Sequence, residues 1–116
     1  MPPPRILILR LSALGDIIHA LPLLGALRAK FPDAFIGWLV EPAVVSLVQG
    51  HPLLDAVHVV PKKQLKTETI RALRGPVREL LAEIKKHNYE IAIDVQGLTK
   101  SAAWSCMAGI PRVIGF

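Results

Sequence analysis

A chain of 116 residues, 52% of them hydrophobic, can bury one core and is too apolar to remain disordered. Its net charge of +5 favours an anionic partner, while aromatics at only 5% argue against a stacking platform for single-stranded nucleic acid. The single cysteine, Cys106, excludes an intrachain disulfide and fits a reducing compartment. No stretch approaches the roughly 18 uncharged apolar residues of a membrane span, and Arg10 and Asp16 interrupt the apolar start that a signal peptide would need. The expected location is the cytoplasm, with room for peripheral contact on the inner face of the membrane; nucleic acid is not expected as a partner.

Aliphatic runs alternate with helical patterns, the signature of βαβ units and a parallel sheet. The first strand is expected over Arg5–Arg10, followed by the turn Leu11–Gly15 and a helix over Asp16–Lys30. In that helix Ile17, Leu21 and Leu24 recur at three to four residues, and Pro22 falls in its first two turns. A second strand over Phe35–Val40 leads through Glu41-Pro42 into a short helical stretch ending near Val48. A third strand covers Ala56–Val60, then a basic loop from Pro61 to Lys66 precedes a long helix ending near His87, expected to be interrupted at Gly75-Pro76. The fourth strand is Glu90–Val95, followed by Gln96-Gly97-Leu98, a helix over Thr99–Ala108 and a fifth strand over Pro111–Phe116. These elements predict an α/β, doubly wound, Rossmann-like three-layer sandwich with a parallel sheet.

In such a sheet ligands bind at the carboxyl ends of the strands, which sorts the nine carboxylates. Asp33, Asp55, Glu68, Glu79, Glu83 and Glu90 fall in helices or at amino ends, where solvated or capping roles are the commoner use. Asp16, Glu41 and Asp94 remain at carboxyl ends. Asp16 follows the small-residue turn Ser12-Ala13-Leu14-Gly15, which lets backbone approach a ligand closely. The helix dipole favours its anion, and position alone leaves it as either a helix cap or a general base. Glu41 carries the same ambiguity, and Asp94 can face the core or the edge.

The segment Asp94-Val95-Gln96-Gly97-Leu98-Thr99-Lys100-Ser101 places a glycine turn and a lysine at a helix start, which suits an oxyanion. It lacks the spacing of a nucleoside triphosphatase loop, and the first turn lacks the glycines of a dinucleotide site. Lys62, Lys63 and Lys66 follow the third strand at the same sheet edge, either as anion contacts or as a solvated loop. Arg71, Arg74 and Arg78 read as an exposed stripe. No histidine has a second ligand at metal-binding spacing, so no metal site is expected; His19 reads as a packing or hydrogen-bonding residue.

Ile6-Leu7-Ile8-Leu9-Arg10-Leu11-Ser12-Ala13-Leu14-Gly15-Asp16-Ile17-Ile18-His19-Ala20-Leu21-Pro22 resembles the opening of the bacterial lipopolysaccharide heptosyltransferases, glycosyltransferase family 9. Trp38-Leu39-Val40-Glu41, Asp94 to Ala102 and Gly109 to Phe116 are similar to later blocks of that family. The Gln-Gly-Leu-x-Lys-Ser-Ala form is closest to the members that add the first heptose to Kdo of the inner core.

The resemblance implies the N-terminal half of a GT-B glycosyltransferase. Residues 1–116 would be part of an acceptor-binding domain, without the C-terminal domain that holds the nucleotide sugar, and the chain alone would be inactive. It implies an inverting, metal-independent transfer from ADP-heptose to Kdo-lipid A, with no further cofactor and with Asp16 as general base. Ser12, Gly15, Lys62, Lys63, Lys66, Gln96 and Lys100 are the implied acceptor contacts. The alternatives are another member of the family, such as a heptosyltransferase II, or a non-catalytic flavodoxin-like module. The latter lacks support from a flavin phosphate loop or a receiver-type acidic pocket.

Overall fold

The computed structural model describes residues 3–11, 14–60, 70–95 and 108–115. The run Ile6-Leu7-Ile8-Leu9 forms the body of strand β1 (Arg5–Leu9), and each of the four is at most 2% exposed. A strand covered on both faces has no polar face to show, which is why its sequence is unbroken. Strands β2 (Phe35–Val40), β3 (Ala56–Val59), β4 (Ile91–Asp94) and β5 (Arg112–Gly115) join it in one sheet of order β3-β2-β1-β4-β5. Every neighbouring pair is parallel. The chain winds outward from β1 through β2 to β3, then returns to place β4 on the other side of β1. The switch point therefore lies between β1 and β4, where Leu9 is in register with Asp94.

The two faces carry separate cores. Ile6, Ile8, Ile36, Trp38, Val40 and Ile93 pack with Ile17, Ala20 and Leu24 of helix α1 (Leu14–Lys30). Leu7, Leu9, Leu39 and Ala92 pack on the other face with Leu80 and Ile84 of helix α2 (Ile70–Lys86). The three-layer α/β sandwich read from the sequence is the observed fold.

Three local expectations change. Helix α1 begins at Leu14 rather than Asp16, so Asp16 is the third residue of its first turn and not its cap. Pro22 consequently lies deep in the helix, where its missing N–H removes one rung of the ladder on the exposed side. Helix α2 is not interrupted at Gly75-Pro76 but runs continuously through both. Burial of Leu80 and Ile84, with Val77 and Leu81 packed beside them, outweighs the single hydrogen bond that Pro76 cannot make. The short helical stretch after β2 is a 3-10 helix, Pro42–Leu47, with proline at its first position. The helix expected over Thr99–Ala108 lies outside the described residues, apart from Ala108.

Gly37 of β2 shows how tightly the second face is packed. The Tyr89 phenol lies against its backbone, and a Cβ there would overlap the Tyr89 hydroxyl and ring. Gly25, on the exposed side of α1, has no atom within 4 Å of a Cβ placed on it. Gly37→Ala should therefore destabilise the fold by about 1–3 kcal/mol through overpacking. Gly25→Ala should stabilise it by about 0.5–1 kcal/mol, because a helical alanine loses less chain entropy than glycine. Chemical denaturation of the two variants checks the opposite signs.

Candidate active site

Backbone hydrogen bonds hold the carboxyl end of β1 from both sides. The Val95 N–H donates to the Leu9 carbonyl at 3.1 Å, and the Glu41 N–H donates to the Leu11 carbonyl at 3.0 Å. Between them, the Arg10 carbonyl accepts the Trp38 indole N–H at 2.9 Å. Residues 9–11 are thus tied to the ends of β2 and β4. The Arg10 side chain turns toward the switch point: Nη1 donates to the Val95 carbonyl at 3.0 Å, and Nη2 meets Oδ2 of Asp16 at 2.6 Å. The guanidinium side is only 13% exposed, whereas the Asp16 side chain is 59% exposed. A carboxylate is held at the sheet edge with its outer side open to solvent. Its place in the first turn of α1 adds the favourable end of the helix dipole. The arrangement can accept a proton from a hydroxyl brought to this edge.

The other two carboxylates of this edge are buried. Asp94 closes β4 and is 6% exposed; Glu41 follows β2 and is 4% exposed. Both engage other groups of the chain. Glu41 precedes the 3-10 helix, but its side chain makes no capping hydrogen bond, so of the readings left open for it the cap is not observed. The carboxyl-edge rule gathered all three acids correctly, and only exposure separates Asp16 from the others. Gly15, the second residue of α1, is exposed and has no atom within 4 Å of a Cβ built on it, so protein packing does not demand glycine there. Ser12, Lys62, Lys63, Lys66, Gln96 and Lys100 lie outside the described residues. Arg10 was missed as a site residue because it reads as the last residue of a strand. Its one signal was a charge ending an aliphatic run six residues before the acid.

Two indentations of about 390 and 550 Å³ open elsewhere, at the amino ends of the strands, lined by groups such as Tyr89 and Ile110 or Pro4 and Arg112. Neither includes a residue of the carboxyl edge. That edge is the better candidate, since in open parallel sheets chemistry sits where strands end and the order reverses. Among the described residues no cluster of three metal-ligating side chains occurs, and no helix is long and apolar enough to cross a membrane.

A parallel five-stranded sheet with helices on both faces and an exposed carboxylate beside its switch point defines a Rossmann-like domain. No protein-family model matches the chain. Curated relatives do. It is 39% identical over 98 residues to lipopolysaccharide heptosyltransferase 1 of Campylobacter coli, covering 84% of this chain and 27% of that protein. It is 32% identical over 112 residues to lipopolysaccharide heptosyltransferase 1 of Pseudomonas aeruginosa, covering 96% of this chain and 32% of that protein. The E. coli heptosyltransferase WaaC, solved with ADP-2-deoxy-2-fluoro heptose, superimposes with a TM-score of 0.83 at 26% identity, covering 97% of this chain and 36% of that one. The chain belongs to the lipopolysaccharide heptosyltransferase family, and it spans roughly a third or less of the length of these curated relatives.

A second polar cluster lies beneath helix α2. His58 of β3 is fully buried; its Nδ1 sits 2.9 Å from Oε1 of Glu83 and its Nε2 2.7 Å from the Tyr89 hydroxyl. Burial pushes the Tyr89 phenol well above its ordinary range, so it stays protonated and donates to Nε2. Nδ1 then carries the ring proton and donates to Glu83, which fixes the tautomer. The ring of His87 is 5.4 Å from His58 and stacks on Phe35 at 5.0 Å, with the Arg5 guanidinium carbon 4.3 Å from the Phe35 ring centre. This cluster is structural: it satisfies polar groups inside the second core. Glu83 is not the merely solvated or capping residue expected from sequence, and His19, expected to pack or to hydrogen-bond, is exposed.

Burial lowers the His58 pKa below its ordinary 6.5, although the Glu83 hydrogen bond and charge oppose the shift. Below that pH the unfolded chain binds a proton that the folded chain resists, so stability is full above about 6.5 and declines as pH falls. The slope from one such group is at most about 1.4 kcal/mol per pH unit. Melting temperatures measured downward from neutral pH should show this decline, and His58→Gln should flatten it.

Proposed function

We propose that this chain provides the acceptor side of heptosyl transfer in lipopolysaccharide synthesis, with Asp16 as general base. The observation that carries the reading is the exposed Asp16 carboxylate beside the β1/β4 switch point. The names of the curated relatives, and the ADP-heptose analogue bound by WaaC, support the choice of transfer class. In this reading a hydroxyl of a Kdo sugar on lipid A attacks the anomeric carbon of ADP-heptose from the face opposite ADP. The new C–O bond forms as the bond to ADP breaks, ADP leaves with the electron pair, and Asp16 takes the hydroxyl proton. Inversion at the anomeric carbon follows from the single displacement. No cofactor beyond the sugar donor enters the proposal.

Gly15 keeps the turn beside Asp16 free of a side chain, leaving room for a sugar against the backbone. The proposal extends to Ser12, Lys62, Lys63, Lys66, Gln96 and Lys100 as contacts for the carboxylates and phosphates of the acceptor, in keeping with the net charge of +5. A lipid-linked acceptor also places the protein at the cytoplasmic face of the inner membrane, in peripheral contact. Since the chain spans 27–32% of the curated relatives, transfer is proposed for a polypeptide of their full length that includes these residues. The nucleotide sugar would be held by a second domain.

Asp16→Asn keeps the size and hydrogen-bonding outline of the side chain but cannot accept the proton. In a full-length context it should retain acceptor binding while transfer falls by about 10²–10⁴-fold. Steady-state transfer to a Kdo-lipid A acceptor, with acceptor binding measured separately, checks both halves. Turnover near that of the parent would remove Asp16 from the role of base.

A further inference from the structure

We infer that Arg10 is a positioning residue for the reaction, holding the Asp16 carboxylate in the orientation from which it takes the acceptor proton. The inference rests on Asp16 being the base.

Three fixed points argue for it. The Arg10 main chain is pinned by the Trp38 indole at its carbonyl, and its side chain by the Val95 carbonyl at Nη1. Only Nη2 is turned outward, and it meets Oδ2 of Asp16 at 2.6 Å. The largely covered guanidinium therefore acts as an arm, held at its root by Trp38 and at Nη1 by Val95 beyond the end of β4, that reaches a carboxylate standing in solvent. Asp16 sits in the first turn of α1, where an aspartate at the surface samples several side-chain rotamers. A base must lie within hydrogen-bond reach of the proton it removes, and a displacement of about 1 Å can cost a hundredfold in rate. Fixing Oδ2 on Arg10 leaves Oδ1 as the oxygen assigned to the acceptor.

Stability alone does not account for an arginine here. Its Nε is buried without a hydrogen-bond partner among the described residues, which is unfavourable for a cationic donor. An apolar side chain of similar length would fill the same space without that cost. Among the described residues, the group at position 10 carries a charge to the exposed acid of the edge, with one donor left unpaired to keep it there.

The test is a double-mutant cycle on transfer kinetics, with Arg10→Met, Arg10→Lys and Asp16→Asn made singly and Arg10→Met combined with Asp16→Asn, in a full-length heptosyltransferase context. Arg10→Met removes the charge and the unsatisfied donor together, so it should fold; its melting curve confirms this. The expected result is a fall in kcat of about 10–100-fold in Arg10→Met with the acceptor KM unchanged. Arg10→Lys should recover part of the loss, since it restores a cation without the two-pronged hold. In the Asp16→Asn background Arg10→Met should cost nothing more, because the residue acts only through the base. Multiplying losses in the double variant, or a raised acceptor KM with kcat intact, would overturn the inference; the second result would instead make Arg10 a direct contact to the acceptor anion. Normal turnover in Asp16→Asn alone brings down the base assignment and this inference with it. Normal turnover in Arg10→Met beside an inactive Asp16→Asn brings down only the role of Arg10.

Discussion

Strand β1 is hydrogen-bonded to β2 on one side and to β4 on the other, and it is buried on both faces. Nothing in it can move without breaking two ladders and two cores at once. The chain leaves this strand at the switch point, so Arg10 and Leu11 inherit its rigidity through hydrogen bonds to Val95, Trp38 and Glu41. Asp16, one helical turn into solvent, is the most exposed group that this chain of fixed points reaches. The site is thus built from inside out: a dry strand, a tethered guanidinium, then an open carboxylate. Pre-organisation of that kind is inexpensive for a parallel sheet, since the carboxyl ends of its strands already converge there.

Polar groups elsewhere in the molecule are used differently. Glu83, His58 and Tyr89 form a relay whose members satisfy one another, and Gly37 yields its side-chain space to the tyrosine. Arg28 likewise reaches the carbonyls of Pro32, Ala34 and Leu53 and the carboxylate of Asp55, closing the amino ends of β2 and β3. Asp55 in turn accepts the Ile36 N–H at 2.8 Å. These groups hold layers together and stay mostly paired, whereas Arg10 keeps one donor without a partner among the described residues. Among the described residues, that contrast in satisfaction separates these structural groups from the edge proposed for chemistry.

Family membership and activity stand on different supports. The chain matches its relatives along most of its own length but spans only 27–32% of theirs. The fold and the edge it presents belong to these residues. Transfer needs a donor as well as a base, and the donor enters through the proposal of a further domain.

The sequence by itself determined the class of fold, because buried parallel strands must be written as unbroken aliphatic runs and the helices between them as apolar stripes. It also placed Asp16, Glu41 and Asp94 at one edge, since strand direction follows from the alternation of elements. It could not rank those three by exposure, nor show that α1 begins at Leu14 and that α2 continues through Pro76. Local propensity stops a helix at Gly-Pro; only contact between Leu80, Ile84 and the second core keeps it going. The partnerships of Arg10 with Asp16 and Val95, and of His58 with Glu83 and Tyr89, join residues 6 to 85 positions apart. Such pairs are decided by which strand ends are brought side by side, a property of the sheet order and not of any window of sequence. Asp16 is therefore legible as a candidate in the chain, and its standing as the open, tethered acid of the edge belongs to the tertiary structure.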